Sequence, residues 1–291
     1  MARPQEAALP HSRKATTRTP PTAKRAGLNP RGSAGKALGR AAPAALALVA
    51  VVIVWDLGVR ITGAADYLFP SPGEVAEALW RTRGALDDHL LSTLTIAIVG
   101  LVAGAVAGVV IALALAASDV ARRAVEPLLV ISQSVPAVIL APLFIVWFGF
   151  GMFPKVLVVA LIAFFPIAIA TLEGLRGADA EHVDLLRSLG AGRLETLRRV
   201  RIPSALPGFF AGMKVAAAYA VFGAVVAEWM GASEGLGVYL QRSQASFRTD
   251  QIFAAIVLIA IAGMVLFGLV SLAARLAMPW NRPTTEEELP R

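Results

Sequence analysis

The sequence contains no cysteine and only three histidines, His11, His89 and His182, which lie far apart. The first absence removes disulfides and thiolate metal ligation. The second leaves no ligand-spaced pair, so neither a metal centre nor a cofactor site is expected. Charge is scarce too: 16% of residues are Asp, Glu, Lys or Arg, against 57% hydrophobic. A water-soluble protein this apolar would have no surface left to solvate, which makes the lipid bilayer its natural solvent.

The scarcity of charge is concentrated in blocks. Leu91–Ala117, Pro127–Phe150, Val156–Leu172 and Ile252–Ala274 hold no charged residue at all. A membrane span needs roughly 20 apolar residues to cross about 30 Å of hydrocarbon, and these runs meet or approach that length. Ala42–Val59 carries only Asp56, and Pro207–Ala227 only Lys214. One central charge costs about 2.5–3.5 kcal/mol on insertion scales, which the surrounding Ala, Val and Phe offset. The prediction is an all-α polytopic membrane protein with six spans, near 42–59, 91–117, 127–150, 156–172, 207–230 and 252–274.

What charge there is has a direction. The formal balance is +7, but the basic residues flank spans rather than form a folded face, so no nucleic-acid partner is expected. Residues 1–40 hold nine Lys/Arg against the single acidic Glu6, in a Pro-, Ser-, Thr-, Ala- and Gly-rich stretch that has little to bury. This stretch is expected to be a disordered cytoplasmic tail, although its composition also resembles an organelle transit peptide. An inward N-terminus places twenty Lys/Arg on the inner side and six on the outer, with Lys214 inside a span. That bias predicts cytoplasmic N- and C-termini, a transmembrane region over 41–277 and a short C-terminal tail over 278–291.

Within this frame several local signals stand out. Ser71-Pro72-Gly73-Glu74 has the capping-box arrangement and predicts a short amphipathic helix on the outer interface. Gly100, Gly104 and Gly108 leave one stripe of the second span bare, which predicts close approach by another helix. Pro136, Pro142 and Pro166 interrupt the third and fourth spans and predict kinked helices packed inside the bundle. Ser132, Gln133 and Ser134, just before Pro136, read either as interhelical hydrogen-bonding groups or as the polar lining of a pathway, with Trp147 in the same span. Lys214 is placed either to snorkel to the inner interface or to meet a solute. Glu228, at the outer end of the fifth span, is a candidate for the pathway or for a hydrogen bond to the outer loop.

The stretch from Glu173 to Leu206 is the longest charged segment between two spans. Asp179 can cap a helix over Ala180–Leu189, with Gly190 as its left-handed stop. A second short helix is predicted over Arg193–Val200, ending before Pro203. Geometry alone allows a surface loop or a lever for an external motor. Asp184-Leu185-Leu186-Arg187-Ser188-Leu189-Gly190, nine residues, then Val200-Arg201-Ile202-Pro203 has the spacing of the loop signature (Glu-Ala-Ala, three residues, Gly, nine residues, Ile, any residue, Leu-Pro) of binding-protein-dependent ABC import permeases, which this chain resembles. It departs at the first three positions and has Val and Ile where Ile and Leu are usual. Phe69-Pro70-Ser71-Pro72, Pro142-Leu143, Trp147-Phe148-Gly149, Phe164-Phe165-Pro166, Glu228 and Gly235-Leu236-Gly237 extend the likeness over about 65–280. They are similar to the nitrate, sulfonate and taurine group, and the segments around Ser132–Pro136 and Ala141–Gly149 look closest to permeases for pyrimidine precursors of thiamine.

The resemblance implies a type I importer permease fold (MetI-like) in a bacterial plasma membrane, with 174–206 as the coupling loop. It implies docking of 184–190 and 200–203 in a dimer of cytoplasmic ABC ATPases, pairing with a second permease copy, and delivery of a small organic solute by an extracytoplasmic solute-binding protein. The chain has no nucleotide site of its own, since Gly32-Ser33-Ala34-Gly35-Lys36 is too short for a phosphate loop. A secondary transporter or channel is the rival reading, but such carriers carry paired repeats and broken polar helices, of which no repeat is evident here.

Overall fold

The computed structural model of the chain describes residues 32–63 and 68–280. Of the expected tails at 1–40 and 278–291, residues 1–31 and 281–291 lie outside the described residues, whereas 32–40, expected to be disordered, are helical. Those described are helical or turn, without strands, as a chain that must satisfy its own backbone in lipid requires. The chain divides between Val52 and Ile53 into two units. Among the described residues the first holds only the leading part of α1 (Gly32–Thr62), which starts earlier than the span expected at 42.

The second unit is built around three helices. The first, α2 (Pro72–Ala117), opens with the predicted cap: Glu74 N–H donates to Ser71 Oγ at 3.3 Å and Ser71 N–H to the Glu74 carboxylate at 2.7 Å. The expected separate interfacial helix does not exist, because α2 runs unbroken for 46 residues. Polar residues such as Arg81 and Asp88 are no obstacle to a helix outside the hydrocarbon, and no proline interrupts the stretch. At about 1.5 Å per residue α2 is a rod of about 69 Å, over twice the hydrocarbon thickness.

The third span departs further from expectation. It consists of α3 (Asp119–Ser132), a 3-10 turn at Ala137–Leu140 and α4 (Ala141–Phe148), with an 86° bend between the two arms. Short bonds from Ser134 N–H to Ile131 and from Val135 N–H to Ser132 tighten the end of α3, and Pro136 then has no N–H with which to continue. Pro142 sits in the first turn of α4, where it kinks nothing. None of α3 is buried, whereas α4 buries Ala141 and Phe144, so the expectation of an interior third span is corrected for its first arm in this single chain.

Next come α5 (Met152–Arg176), α6 (Ala180–Ser188) and α7 (Arg193–Thr196), then α8 (Ile202–Glu228), α9 (Leu236–Ala245) and α10 (Thr249–Ala277). Among the described residues five helices are long and apolar enough to cross a membrane, or six if the bent pair is one crossing. The core lies where α5 packs along both α2 and α8, with α10 closing over α8. Its buried residues are mostly small: Ala97, Ala105, Ala163, Ala216, Ala217, Ala220 and Ala224. The predicted glycine stripe faces α5. A β-carbon at Gly100 would lie 2.5 Å from Val159 Cβ, and one at Gly104 2.5 Å from the Ala160 carbonyl. Across the other face of α5, Gly208 meets the Ala170 carbonyl and Gly212 the Pro166 carbonyl.

Candidate functional site

The segment singled out by its spacing folds as α6, a turn over 189–192, and α7 leading into α8. Asp179 caps α6 by accepting from Glu181 N–H at 2.9 Å, and its carboxylate meets His182 Nδ1 at 2.7 Å. The Glu181 N–H first, and the His182 ring second, hold the Asp179 carboxyl below the usual carboxylate range. Because the folded value is depressed, the stabilisation is complete above the ordinary value of about 4 and is lost as pH falls through the folded value. Asp179→Ala is expected to speed amide exchange in the first turn of α6 about three- to tenfold at neutral pH, without change in α5 or α8. Mass-spectrometric hydrogen exchange measures this.

At the other end of α6 the stop is a Schellman motif. Gly190 has φ +86°, its N–H donates to Arg187 O at 2.9 Å, and Ala191 N–H donates to Leu186 O at 3.0 Å. The predicted end before Pro203 does not occur. After α7 the chain makes a π turn at Leu197–Arg201, with Ile202 N–H bonded to Leu197 O, and passes directly into α8. Pro203 lacks the N–H that would bond Arg199 O in an α-helix, and it occupies the first turn of α8. Arg193–Glu228 is thus a single rod.

The faces of α6 are distinct. Val183 is buried and Leu186 half-buried toward the bundle, while Leu185, Leu189 and Leu194 are 58%, 75% and 68% exposed. Asp184 and Arg187 are exposed and paired at 3.6 Å, a surface contact worth little on its own. Ser188 Oγ turns back to Leu185 O at 2.7 Å. Val200 and Pro203 are half-buried, whereas Ile202 is exposed. A crevice of about 350 Å³ lies beside α6, lined among others by Asp119, Arg122, Arg176, Asp184, Arg187 and Arg201. Glu126 accepts from Arg176 at 3.0 Å and from Arg122 at 3.4 Å, which ties the middle of α3 to the end of α5.

The candidates for the pathway separate into two places. Ser132, Gln133, Ser134 and Pro136 lie exposed at the bend, and Trp147 lies exposed on its second arm. Ser132 Oγ donates to Leu128 O at 2.7 Å, within its own helix. Glu228 is elsewhere, at the far end of α8, and is 1% exposed. Its carboxylate is buried, accepting from Thr93 Oγ1 at 2.7 Å and from Gly237 N–H at 2.8 Å, so it bonds α2 and the first turn of α9. Sequence reasoning missed α9 and the partners Thr93 and His89. The i,i+4 spacing of those two residues on α2 was visible, but nothing local tied them to a residue far along the chain.

Residues 100–282 match the family of binding-protein-dependent transport system inner membrane components. The chain is 34% identical over 233 residues to the formylaminopyrimidine transport permease protein ThiX of Halalkalibacterium halodurans, which covers 80% of this chain and 93% of that one. It is 36% identical over 236 residues to the riboflavin transport system permease protein RibX of Chloroflexus aurantiacus, covering 80% and 88%. It is also 30% identical over 242 residues to the taurine transport system permease protein TauC of Escherichia coli, again covering 80% and 88%. Among solved structures, an inward-facing MetNI methionine ABC transporter superposes with a TM-score of 0.57 at 20% identity, covering 71% of this chain and 97% of that one, a likeness of fold. With its apolar helices and these relatives, the chain belongs to the binding-protein-dependent inner membrane components: it is a multi-pass permease subunit of an ABC importer.

Proposed function

We propose that two copies of this chain form the membrane pathway of an ATP-driven importer, and that residues 184–190 and 200–203 seat in a cytoplasmic ATPase subunit that hydrolyses the ATP. The observation that carries this reading is the outward apolar face of α6. Leu185 and Leu189, four residues apart, point away from the buried Val183 with no covering element among the described residues. Exposed leucines on a short polar helix are a docking surface for a cleft in another protein. The Lys/Arg bias supports placing this face, and both termini, in the cytoplasm. A solute-binding protein then meets the opposite face.

For the solute, an uncharged pyrimidine of the formylaminopyrimidine kind suits the bend better than an anion. Pro127–Phe150 has hydroxyl, amide and indole groups but no charged side chain, and an anion in a membrane pathway calls for a cationic or strongly donating partner. A sulfonate- or taurine-like anion is the second reading, favoured by the likeness to the taurine permease.

Co-purification tests the docking. An ATPase subunit of the same transport system is expected to come down with the wild-type chain. The double variant Leu185→Glu, Leu189→Glu is expected to bind it at least about 100-fold more weakly, since each leucine contributes about 1.5 kcal/mol when buried. Undiminished co-purification of the double variant sinks the docking assignment. Uptake of labelled formylaminopyrimidine, with taurine as competitor, separates the two solute readings.

A further inference from the structure

The start of α9 is held by side chains from two other helices. A helix N-terminus leaves its first N–H groups without intrahelical partners. Here Gly235 N–H donates to His89 Nδ1 at 2.9 Å, Leu236 N–H to Thr93 Oγ1 at 2.8 Å and Gly237 N–H to Glu228 Oε2 at 2.8 Å. His89 and Thr93 belong to α2, and Glu228 is the last residue of α8. Thr93 Oγ1 donates in turn to Glu228 Oε1, closing the cluster. Gly235 has φ +122°, and any β-carbon there would fall inside the Glu228 carboxylate, so the chain keeps this position bare to let the carboxylate in. Trp229 Nε1 adds a bond to Gly237 O at 3.1 Å.

A carboxylate this deeply buried is costly unless it is fully hydrogen-bonded, and an apolar residue would leave the Gly237 N–H bare. The location matters as much as the bonding. Glu228 ends the rod that begins at Arg193, 36 residues or about 54 Å away. Along that rod Gly208 and Gly212 rest against carbonyls of α5, and Gly104 of α2 rests against the other side of α5. Backbone pressed on backbone has no side chains to yield, so α2, α5 and α8 move as one block.

We infer that Glu228 is a positioning residue of the transport cycle: its carboxylate ties α9 to the α2–α5–α8 block, so that displacement at the α6 end is carried to the face where a solute-binding protein sits. This rests on the reading of the α6 end as the ATPase-facing end. The tie works in both directions, because coupling between two sites is reciprocal. Docking at the α9 face therefore alters ATP hydrolysis at the other end.

The test uses the permease–ATPase complex in lipid nanodiscs, with ATP hydrolysis measured with and without the solute-binding protein of the same system. In Glu228→Ala, stimulation by the binding protein is expected to fall about fivefold or more while unstimulated hydrolysis persists. Exchange of the 235–237 amides is expected to rise in the same variant. Glu228→Gln is expected to restore both to within about twofold, because the amide oxygen still accepts from Gly237 N–H and the amide nitrogen donates to Thr93 Oγ1, freeing the threonine proton for the His89 carbonyl. Wild-type stimulation in Glu228→Ala, or a glutamine variant as defective as the alanine, overturns the inference. If Glu228→Ala does not assemble, Thr93→Val decides: lost stimulation in an assembled complex supports the tie, and full stimulation overturns it. A wild-type complex with no stimulation at all overturns the ATPase-facing reading and this inference with it; failure confined to the variants overturns the inference alone.

Discussion

Gly190→Val is expected to abolish ATP-coupled uptake while leaving the α2–α5–α8 block folded. Gly190 stands at φ +86°, and nothing lies within 4 Å of the place a β-carbon would take, so the obstacle is the backbone conformation and not space. A β-branched residue in the left-handed region is penalised by about 1–2 kcal/mol or more. Leaving that region also breaks the bonds from Gly190 to Arg187 and from Ala191 to Leu186, each with a net value of about 1 kcal/mol. The sum, about 3–4 kcal/mol, falls on a helix of nine residues that is marginal in isolation. The last turn of α6 unwinds, and the Leu185–Leu189 face is lost with it. Uptake into proteoliposomes is expected to drop more than about tenfold, with Gly190→Asn close to wild type because asparagine tolerates the same conformation. Normal uptake by the valine variant rules out a coupling role for this elbow.

The second large effect concerns folding itself. At Gly212 a β-carbon would lie 2.5 Å from the Pro166 carbonyl and 2.9 Å from Ile167 Cα, both backbone atoms of α5. Neither can turn aside, so Gly212→Val must force α5 and α8 apart along their length. Overpacking of this sort is destabilising by about 1–3 kcal/mol even where side chains can adjust, and here every neighbour is main chain. The expected result is loss of the monodisperse detergent-solubilised protein, read by size-exclusion chromatography. Gly263→Val is the matched control: it adds the same atoms to an apolar helix, but nothing lies within 4 Å of its β-carbon. Equal behaviour of the two variants contradicts the packing argument.

Much of the fold was legible because lipid makes simple demands. Long runs with at most one charge located α5, α8 and α10, and the stripe of Gly100, Gly104 and Gly108 identified the face of α2 that meets α5. The cap at Ser71 and the stop at Gly190 were also readable, since each is a local exchange of hydrogen bonds. The misreadings share a cause. Whether Arg81 to His89 interrupts α2, whether Pro203 ends a helix and whether Pro136 only kinks one depend on how the surrounding backbone redistributes its bonds. A π turn absorbed Pro203, and a 3-10 turn turned the Pro136 kink into a break. For the candidate site, the spacing from Asp184 to Pro203 picked out the proposed coupling segment without revealing that its second part, from Arg193, runs on into α8. Glu228 drew notice as a charge near a span end, but its partner Thr93 lies 135 residues away on α2, and no local pattern links the two.

The small-residue face of α8 has a thermodynamic consequence. Gly212, Ala216, Ala217, Ala220, Gly223 and Ala224 are all buried. Alanine and glycine have no rotamers to lose, whereas long side chains forfeit up to about 2 kcal/mol each when ordered. Helices in lipid gain no hydrophobic energy by associating, so dispersion must exceed the entropy lost. By building most of the contact from side chains that lose none, α8 leaves mainly rigid-body entropy to oppose assembly, and weak van der Waals attraction is enough to hold the block together.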